Sequence, residues 1–168
     1  MADWNNPSLL EAIQTQFATA VVSSEETYGM LNIEVNANDA YAVIEWLKNH
    51  NSLRMDYLTD LCAVHYPEQE GREIAVVYHI HSLINNIRLR LKAFLPIEKP
   101  EIATLTPLFS GANWMERETY DFYGVNFTGH PDMRHILNMD EMDYFPLRKE
   151  YALEDETRTD KADKYFGR

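Results

Sequence analysis

Residues 74–81 read Ile74-Ala75-Val76-Val77-Tyr78-His79-Ile80-His81, and residues 87–94 read Ile87-Arg88-Leu89-Arg90-Leu91-Lys92-Ala93-Phe94. Ile74, Val76, Tyr78 and Ile80 recur at every second position. Ile87, Leu89 and Leu91 alternate in the same way with Arg88, Arg90 and Lys92. A period of two places the apolar set on one face of a strand and the polar set on the other. Residues 82–86, with Ser82, Asn85 and Asn86, form the turn between the two runs. A further strand is predicted at 58–66, joined to the pair through a turn over 67–71 that opens on Pro67 and closes on Gly71. One face of this meander meets a core, and the other meets water or a partner.

Before the meander, Asn6-Pro7-Ser8 opens a helix in which Leu9, Leu10, Ile13 and Phe17 recur at helical spacing. Strands are predicted at 18–23 and 28–35, with Glu25-Glu26-Thr27 as the turn of a hairpin. Asn38 or Asp39 caps a second helix, whose stripe is Ala40, Val43, Ile44 and Leu47 and which ends at Asn49-His50-Asn51. After the meander, Pro96 and Pro100 punctuate a linker, and residues 107–123 read as a third helix with Gly124 as its C′ glycine. The order α-β-β-α-β-β-β-α groups helices and hairpins, so it predicts an α+β, two-layer domain. We expect a mixed sheet of about five strands with helices on one face, over residues 1–124. Residues 125–168 form a loop-rich C-terminal arm. From Asp140 to Arg168 there are 9 acidic and 6 basic residues with no apolar period, yet Tyr144, Phe145, Tyr151, Tyr165 and Phe166 persist. Such a segment reads as an arm that orders on a partner.

Composition narrows the function classes. The chain has 168 residues, 15 Lys+Arg against 27 Asp+Glu, and a formal net charge of −12, which argues against nucleic acid as a partner. The longest runs without a charged residue, 74–87 and 102–115, fall short of the ~20 residues a bilayer requires. Met1-Ala2-Asp3-Trp4 has no basic and apolar leader pattern. The one cysteine, Cys62, lies in the apolar run Leu61-Cys62-Ala63-Val64 and reads as an inert thiol, unable alone to hold a zinc or iron–sulfur centre.

Chemistry of its own is sparse. His79 and His81 share a strand face and make a metal pair only if a third ligand arrives, such as His65 or a carboxylate. Neither a Gly-x-Ser-x-Gly elbow nor a glycine-rich phosphate loop occurs. The dense cluster is Trp114-Met115-Glu116-Arg117-Glu118-Thr119-Tyr120-Asp121-Phe122-Tyr123-Gly124. Arg117 and Asp121 stand at i, i+4 and can pair. The carboxylates are spread around the helix, which costs desolvation unless cations meet them; Arg134, Arg148 and Lys149 are the candidates. Interleaved aromatic and charged residues point to a packed interface.

Four blocks in order, Ala112-Asn113-Trp114-Met115-Glu116-Arg117-Glu118, Tyr120-Asp121-Phe122-Tyr123-Gly124, Gly129-His130-Pro131 and Pro146-Leu147-Arg148-Lys149, resemble the C-type (30-kDa) subunit family of respiratory complex I, the proton-pumping NADH:quinone oxidoreductase. Tyr57-Leu58-Thr59-Asp60-Leu61 and Val77-Tyr78-His79 also look like that family's sheet region. The family usually carries Arg-Arg where this chain has Arg134-His135, and Asp where it has Glu150. The resemblance implies a non-catalytic scaffold subunit of the peripheral arm, on the cytoplasmic face of the bacterial inner membrane. Its implied neighbours are the quinone-site (D-type) subunit and cluster-bearing subunits. No cofactor is implied for this chain; FMN and Fe–S clusters belong to partner subunits, and the whole complex carries electrons from NADH to quinone and moves protons. The residues expected at the partner interface are Trp114, Glu116, Arg117, Glu118, Asp121, Gly124, His130, Pro131, Arg134, Pro146, Leu147, Arg148 and Lys149. Three other readings stand beside it: the equivalent subunit of a membrane-bound hydrogenase or ferredoxin-driven complex, a stand-alone metal enzyme built on His79, His81 and a carboxylate, and a regulatory binding module.

Overall fold

The computed structural model describes residues 4–151. The elements are α1 (Asn6–Gln16), β1 (Val21–Thr27), β2 (Met30–Val35), α2 (Ala40–Asn49), β3 (Tyr57–His65), β4 (Ile74–Ser82), β5 (Ile87–Leu95), β6 (Glu101–Ala103), α3 (Ala112–Tyr123) and β7 (Asn126–Thr128). The first five strands form one mixed sheet in the order β1-β2-β5-β4-β3, with β2 and β5 parallel and the other pairs antiparallel. The alternating stripes at 74–81 and 87–94 become β4 and β5, paired from Ile74↔Leu95 to Ser82↔Ile87. The parallel β2–β5 contact needs a long crossover, which α2 and the β3–β4 hairpin supply.

Leu9 and Ile13 of α1, Val43, Ile44 and Leu47 of α2, and Ala112 of α3 share one apolar cluster with the inner face of the sheet, which includes Ile33, Leu61, Val76, Tyr78, Ile80, Leu89 and Leu91. Helices therefore gather on one face of the sheet. α1 starts with a reciprocal cap: Asn5 accepts the Ser8 N–H, and the Ser8 hydroxyl accepts the Asn5 N–H. α2 begins after Asp39, whose side chain makes no capping bond.

Local differences from the sequence reading have local causes. β1 runs on through Glu25, Glu26 and Thr27, and the chain reverses at Tyr28-Gly29, with φ of 53° and 75°. Two consecutive positive φ values match the twist of a two-residue hairpin, and Gly29 supplies one without strain. The glutamates instead face water on the edge strand, where charge discourages pairing with another chain. The expected linker contains β6, which pairs in parallel with β7 at Glu101↔Asn126, Ile102↔Phe127 and Ala103↔Thr128. α3 starts at Ala112 rather than 107. The Leu108 carbonyl is taken by the Lys48 ammonium, and the Ala112 N–H turns to Phe109 O instead. Residues 152–168 of the expected arm, with Tyr165 and Phe166, lie outside the described residues.

Candidate partner-binding surface

α3 packs on β3 and carries Glu116, Arg117 and Asp121 into the interior, with Glu116 and Asp121 fully buried. Each finds partners from neighbouring loops rather than from opposite charges. The Glu116 carboxylate accepts the Leu105 N–H at 2.6 Å and the Thr104 hydroxyl, holding the turn that precedes the helix. Burial pushes Glu116 up to about 7 against the pull of those two donors. His130 Nε2 lies 4.0 Å from Glu116, and both side chains are fully buried. The His130 ring accepts the Asp132 N–H at Nδ1, so its hydrogen sits on Nε2 and is donated to the Asn113 carbonyl at 3.2 Å. His130 thus staples the loop after β7 onto the first turn of α3.

Asp121 and Arg117 form a clamp one helical turn long. Asp121 Oδ2 accepts three successive backbone N–H groups, from Ile136 at 3.2 Å, Leu137 at 2.8 Å and Asn138 at 3.1 Å. Its other oxygen accepts from His135 Nδ1, and the Asn138 amide donates to the Asp121 carbonyl. Burial opposes the charge, yet His135 and the three N–H groups hold the carboxyl down at about 2. Arg117 grips the other side of the same segment, donating to the Arg134 carbonyl at 3.2 Å and the His135 carbonyl at 3.0 Å. Residues 134–138 thus offer their carbonyls to a cation and their N–H groups to an anion. The expected Arg117–Asp121 pair does not form, because each finds backbone groups that would otherwise be buried unpaired. Glu116, likewise, is not met by Arg134, Arg148 or Lys149.

The C-terminus of α3 holds a second fastening. Gly124 has φ 77° and donates its N–H to the Tyr120 carbonyl. A Cβ there would lie 2.7 Å from both Arg148 Nη2 and Phe145 Cδ2, so this position needs glycine for conformation and for space. Arg148 donates to the Tyr123 carbonyl at 2.8 Å, a cation on the negative end of the helix, and its guanidinium lies over Phe145. The Leu147 N–H reaches the Phe122 carbonyl and the Lys149 N–H reaches His65 Nδ1. Pro146 sits between these contacts, half-buried.

Around the clamp, α3 and the chain that follows present large side chains outward. Trp114 is 61 % exposed, Leu137 68 % and Met139 73 %, with Tyr144, Leu147 and Tyr151 also exposed. The Arg117 guanidinium lies 5.0 Å from the centre of the Trp114 ring, fixing that ring beside the clamp. Glu118, Pro131, Arg134 and Lys149 are exposed, and Arg134 pairs with Asp132. The expected interface set therefore divides into outward residues and buried or half-buried residues that hold them in place. Sequence reasoning missed Thr104, His65 and Asn138 as fastening points; none shows a signal before the loops are laid on the helix.

A model of the family described as respiratory-chain NADH dehydrogenase, 30 Kd subunit, matches residues 33–157. The chain belongs to this family. It is 39 % identical over 148 residues to a C-type subunit of the NADH-quinone oxidoreductase of Rhizobium meliloti (strain 1021), covering 88 % of this chain and 80 % of that protein. It is 37 % identical over 149 residues to the C-type subunit of the same enzyme in Roseiflexus castenholzii, covering 89 % and 85 % respectively. Among solved structures, the trypsin-resistant fragment (1–134) of Nqo5 superposes with a TM-score of 0.62 at 27 % identity, over 75 % of this chain and 97 % of the fragment. A chain of the archaeal membrane-bound sulfane sulfur reductase shares the fold, with a TM-score of 0.73 at 23 % identity over 88 % of this chain and 85 % of that one.

A metal centre on His79 and His81 finds no support in this member of the 30-kDa subunit family. Ile74 pairs with His65, and His79 with Asp60, across β3 and β4. His65 therefore stands on the inner face, with Leu61 and Ala63, and the histidine pair on the outer. His79 Nε2 is occupied in accepting from Arg90 Nε at 2.8 Å. Among the described residues, no group of three or more His, Cys, Asp and Glu is placed to hold a metal ion. No helix among them is long and apolar enough to cross a membrane.

Proposed function

We propose that this chain is a non-catalytic scaffold subunit in the peripheral arm of an NADH:quinone oxidoreductase, set against the quinone-site subunit on the cytoplasmic face of the membrane. The observation that carries this reading is the outward set of Trp114 on α3, Leu137 in the segment that Arg117 and Asp121 hold from both sides, and Met139 just after it. Large exposed apolar side chains on a rigid support mark a protein interface, because the ordering cost is met before the partner arrives. The outward groups of the interface are Trp114, Glu118, Pro131, Arg134, Leu147 and Lys149. Glu116, Arg117, Asp121, Gly124, His130, Pro146 and Arg148 act as positioning residues behind them. The described part of the arm, residues 125–151, extends the same surface. The chain's part in electron transfer is geometric: it keeps FMN, Fe–S clusters and quinone site of other subunits at fixed spacing. The test is to tag the chain in its native membrane, purify it under mild detergent and identify what comes with it. Trp114→Ala with Leu137→Ala should lose the quinone-site subunit while the tagged chain stays folded. Unchanged recovery would refute the placement. Recovery of a nickel-binding large subunit would assign the chain to a hydrogenase-type complex.

A further inference from the structure

The outer face of the sheet carries a second set of polar groups, centred on β5. The buried apolar residues of α1, α2 and α3 join the inner cluster instead. On this face Arg88, Arg90 and Lys92 stand at alternate positions of β5. Cross-strand register places Asp60, His79, Arg90, Asn32 and Glu25 in one row from β3 to β1. Arg90 donates through Nε to His79 and through Nη1 to Asn32 Oδ1 at 3.0 Å, and Asn32 is buried. Both acceptors are neutral, so the guanidinium is fixed in place but its charge is not cancelled. Burial and the Arg90 charge hold His79 below its ordinary value, with Asp60 pulling the other way.

Of the carboxylates bordering this strip, Glu34 and Asp60 have other partners, and Glu25 stands beyond Asn32 at the far end of the row. Glu34, which pairs across strands with Lys92, is bound to Arg72 at 2.6 Å and lies near the Ser23 hydroxyl. Asp60 faces His79 at 3.6 Å. Among the described residues, Arg88, Arg90 and Lys92 have no carboxylate within 4.0 Å. His81, beside Arg88 in the β4–β5 register, is 9 % exposed and its Nε2 has no partner. Among the described residues, a chain of net charge −12 thus keeps three cations on one strand without a carboxylate partner. We propose that this outer face is a docking surface for a carboxylate-bearing segment of a second polypeptide in the assembly, with Arg90 as its fixed centre and Arg88 and Lys92 as its flanks. The proposal rests on the reading that the chain works within an assembly.

Charge complementarity selects the occupant. The cations repeat at about 7 Å, twice the rise of a strand, which suits acidic side chains at alternate positions of an extended segment. An anionic membrane surface is disfavoured, because the net charge of −12 and the bordering Glu25, Glu34 and Asp60 repel it. The proposed surface centres on β5, two strands in from the edge strand β3 on which α3 packs.

The experiment uses the intact complex carrying Arg88→Glu with Lys92→Glu, leaving Arg90 to hold Asn32 and His79. One neighbouring subunit should dissociate roughly tenfold more readily at about 0.15 M salt, and the difference from wild type should vanish near 1 M, where screening reaches about 3 Å. Carbodiimide coupling in the wild-type complex should join Lys92 to an Asp or Glu of that same subunit. If the reversed pair does not fold, Arg88→Gln with Lys92→Gln gives the same measurement with a smaller effect. The proposal fails if the variant complex retains every subunit at all salt concentrations, or if Lys92 couples within its own chain alone. It also fails if the full chain binds vesicles of phosphatidylglycerol and phosphatidylcholine and loses that binding on charge reversal. Loss of the quinone-site subunit in Trp114→Ala/Leu137→Ala, with no effect of the sheet-face pair, would overturn this inference and leave the scaffold reading standing.

Discussion

Asp121→Asn removes the anion of the clamp while keeping its shape. In the wild-type chain the carboxyl is held at about 2 against an ordinary 3.8, although burial pushes the other way. That gap of roughly two units, at about 1.4 kcal/mol each, makes the charged form better by on the order of 2–3 kcal/mol. The loss falls on the segment rather than the core, because the donors belong to Ile136, Leu137, Asn138 and His135. Amide hydrogen exchange at Ile136, Leu137 and Asn138 should therefore accelerate roughly a hundredfold in Asp121→Asn, with the amides of β4 and β5 unchanged. The same segment should loosen in the wild-type chain on acidification. A depressed carboxyl stabilises above its unfolded value of 3.8, and that contribution is lost as pH falls toward about 2. Exchange at the three amides within about threefold of wild type would refute the clamp.

Glu116 has the opposite sign. Its folded value, raised from 4.5 to about 7, makes wild-type stability fall as pH rises across that interval, and thermal melts of Glu116→Gln should show a flatter pH profile there. Gly124→Ala should cost about 2 kcal/mol or more, from the positive φ and the displaced Phe145 and Arg148, and trypsin should then cut faster after Arg148 and Lys149. Cys62, pushed from 9.0 to about 11 by burial and by Asp60, should react with iodoacetamide at pH 8 roughly a hundredfold more slowly than a free thiol, and Asp60→Asn should recover part of that rate.

The sheet was legible because its signal is local. The alternation in 74–81 and 87–94 fixed which side chains point inward before any partner strand was known, and the order of elements led to a mixed sheet with helices on one face. The parallel β6–β7 pair was not legible: each strand is 3 residues long, and what joins them is the path of α3, which brings Asn126 beside Glu101. The α3 cluster was legible as a set of residues but not as a set of roles. Spacing on a helix brings Arg117 to Asp121, whereas burial decides that both attend to backbone groups of residues 134–138. Partners drawn from a loop ~15 residues downstream leave no periodic trace in sequence. The outward Trp114, by contrast, was visible at once as an aromatic among charges.

Purification of the tagged chain from native membranes, followed by mass spectrometry of its stoichiometric companions, addresses the scaffold role most directly. We expect the quinone-site subunit with FMN- and cluster-bearing subunits at equal abundance, and loss of the quinone-site subunit from the Trp114→Ala/Leu137→Ala preparation. A wild-type chain that elutes alone, without respiratory companions, contradicts it.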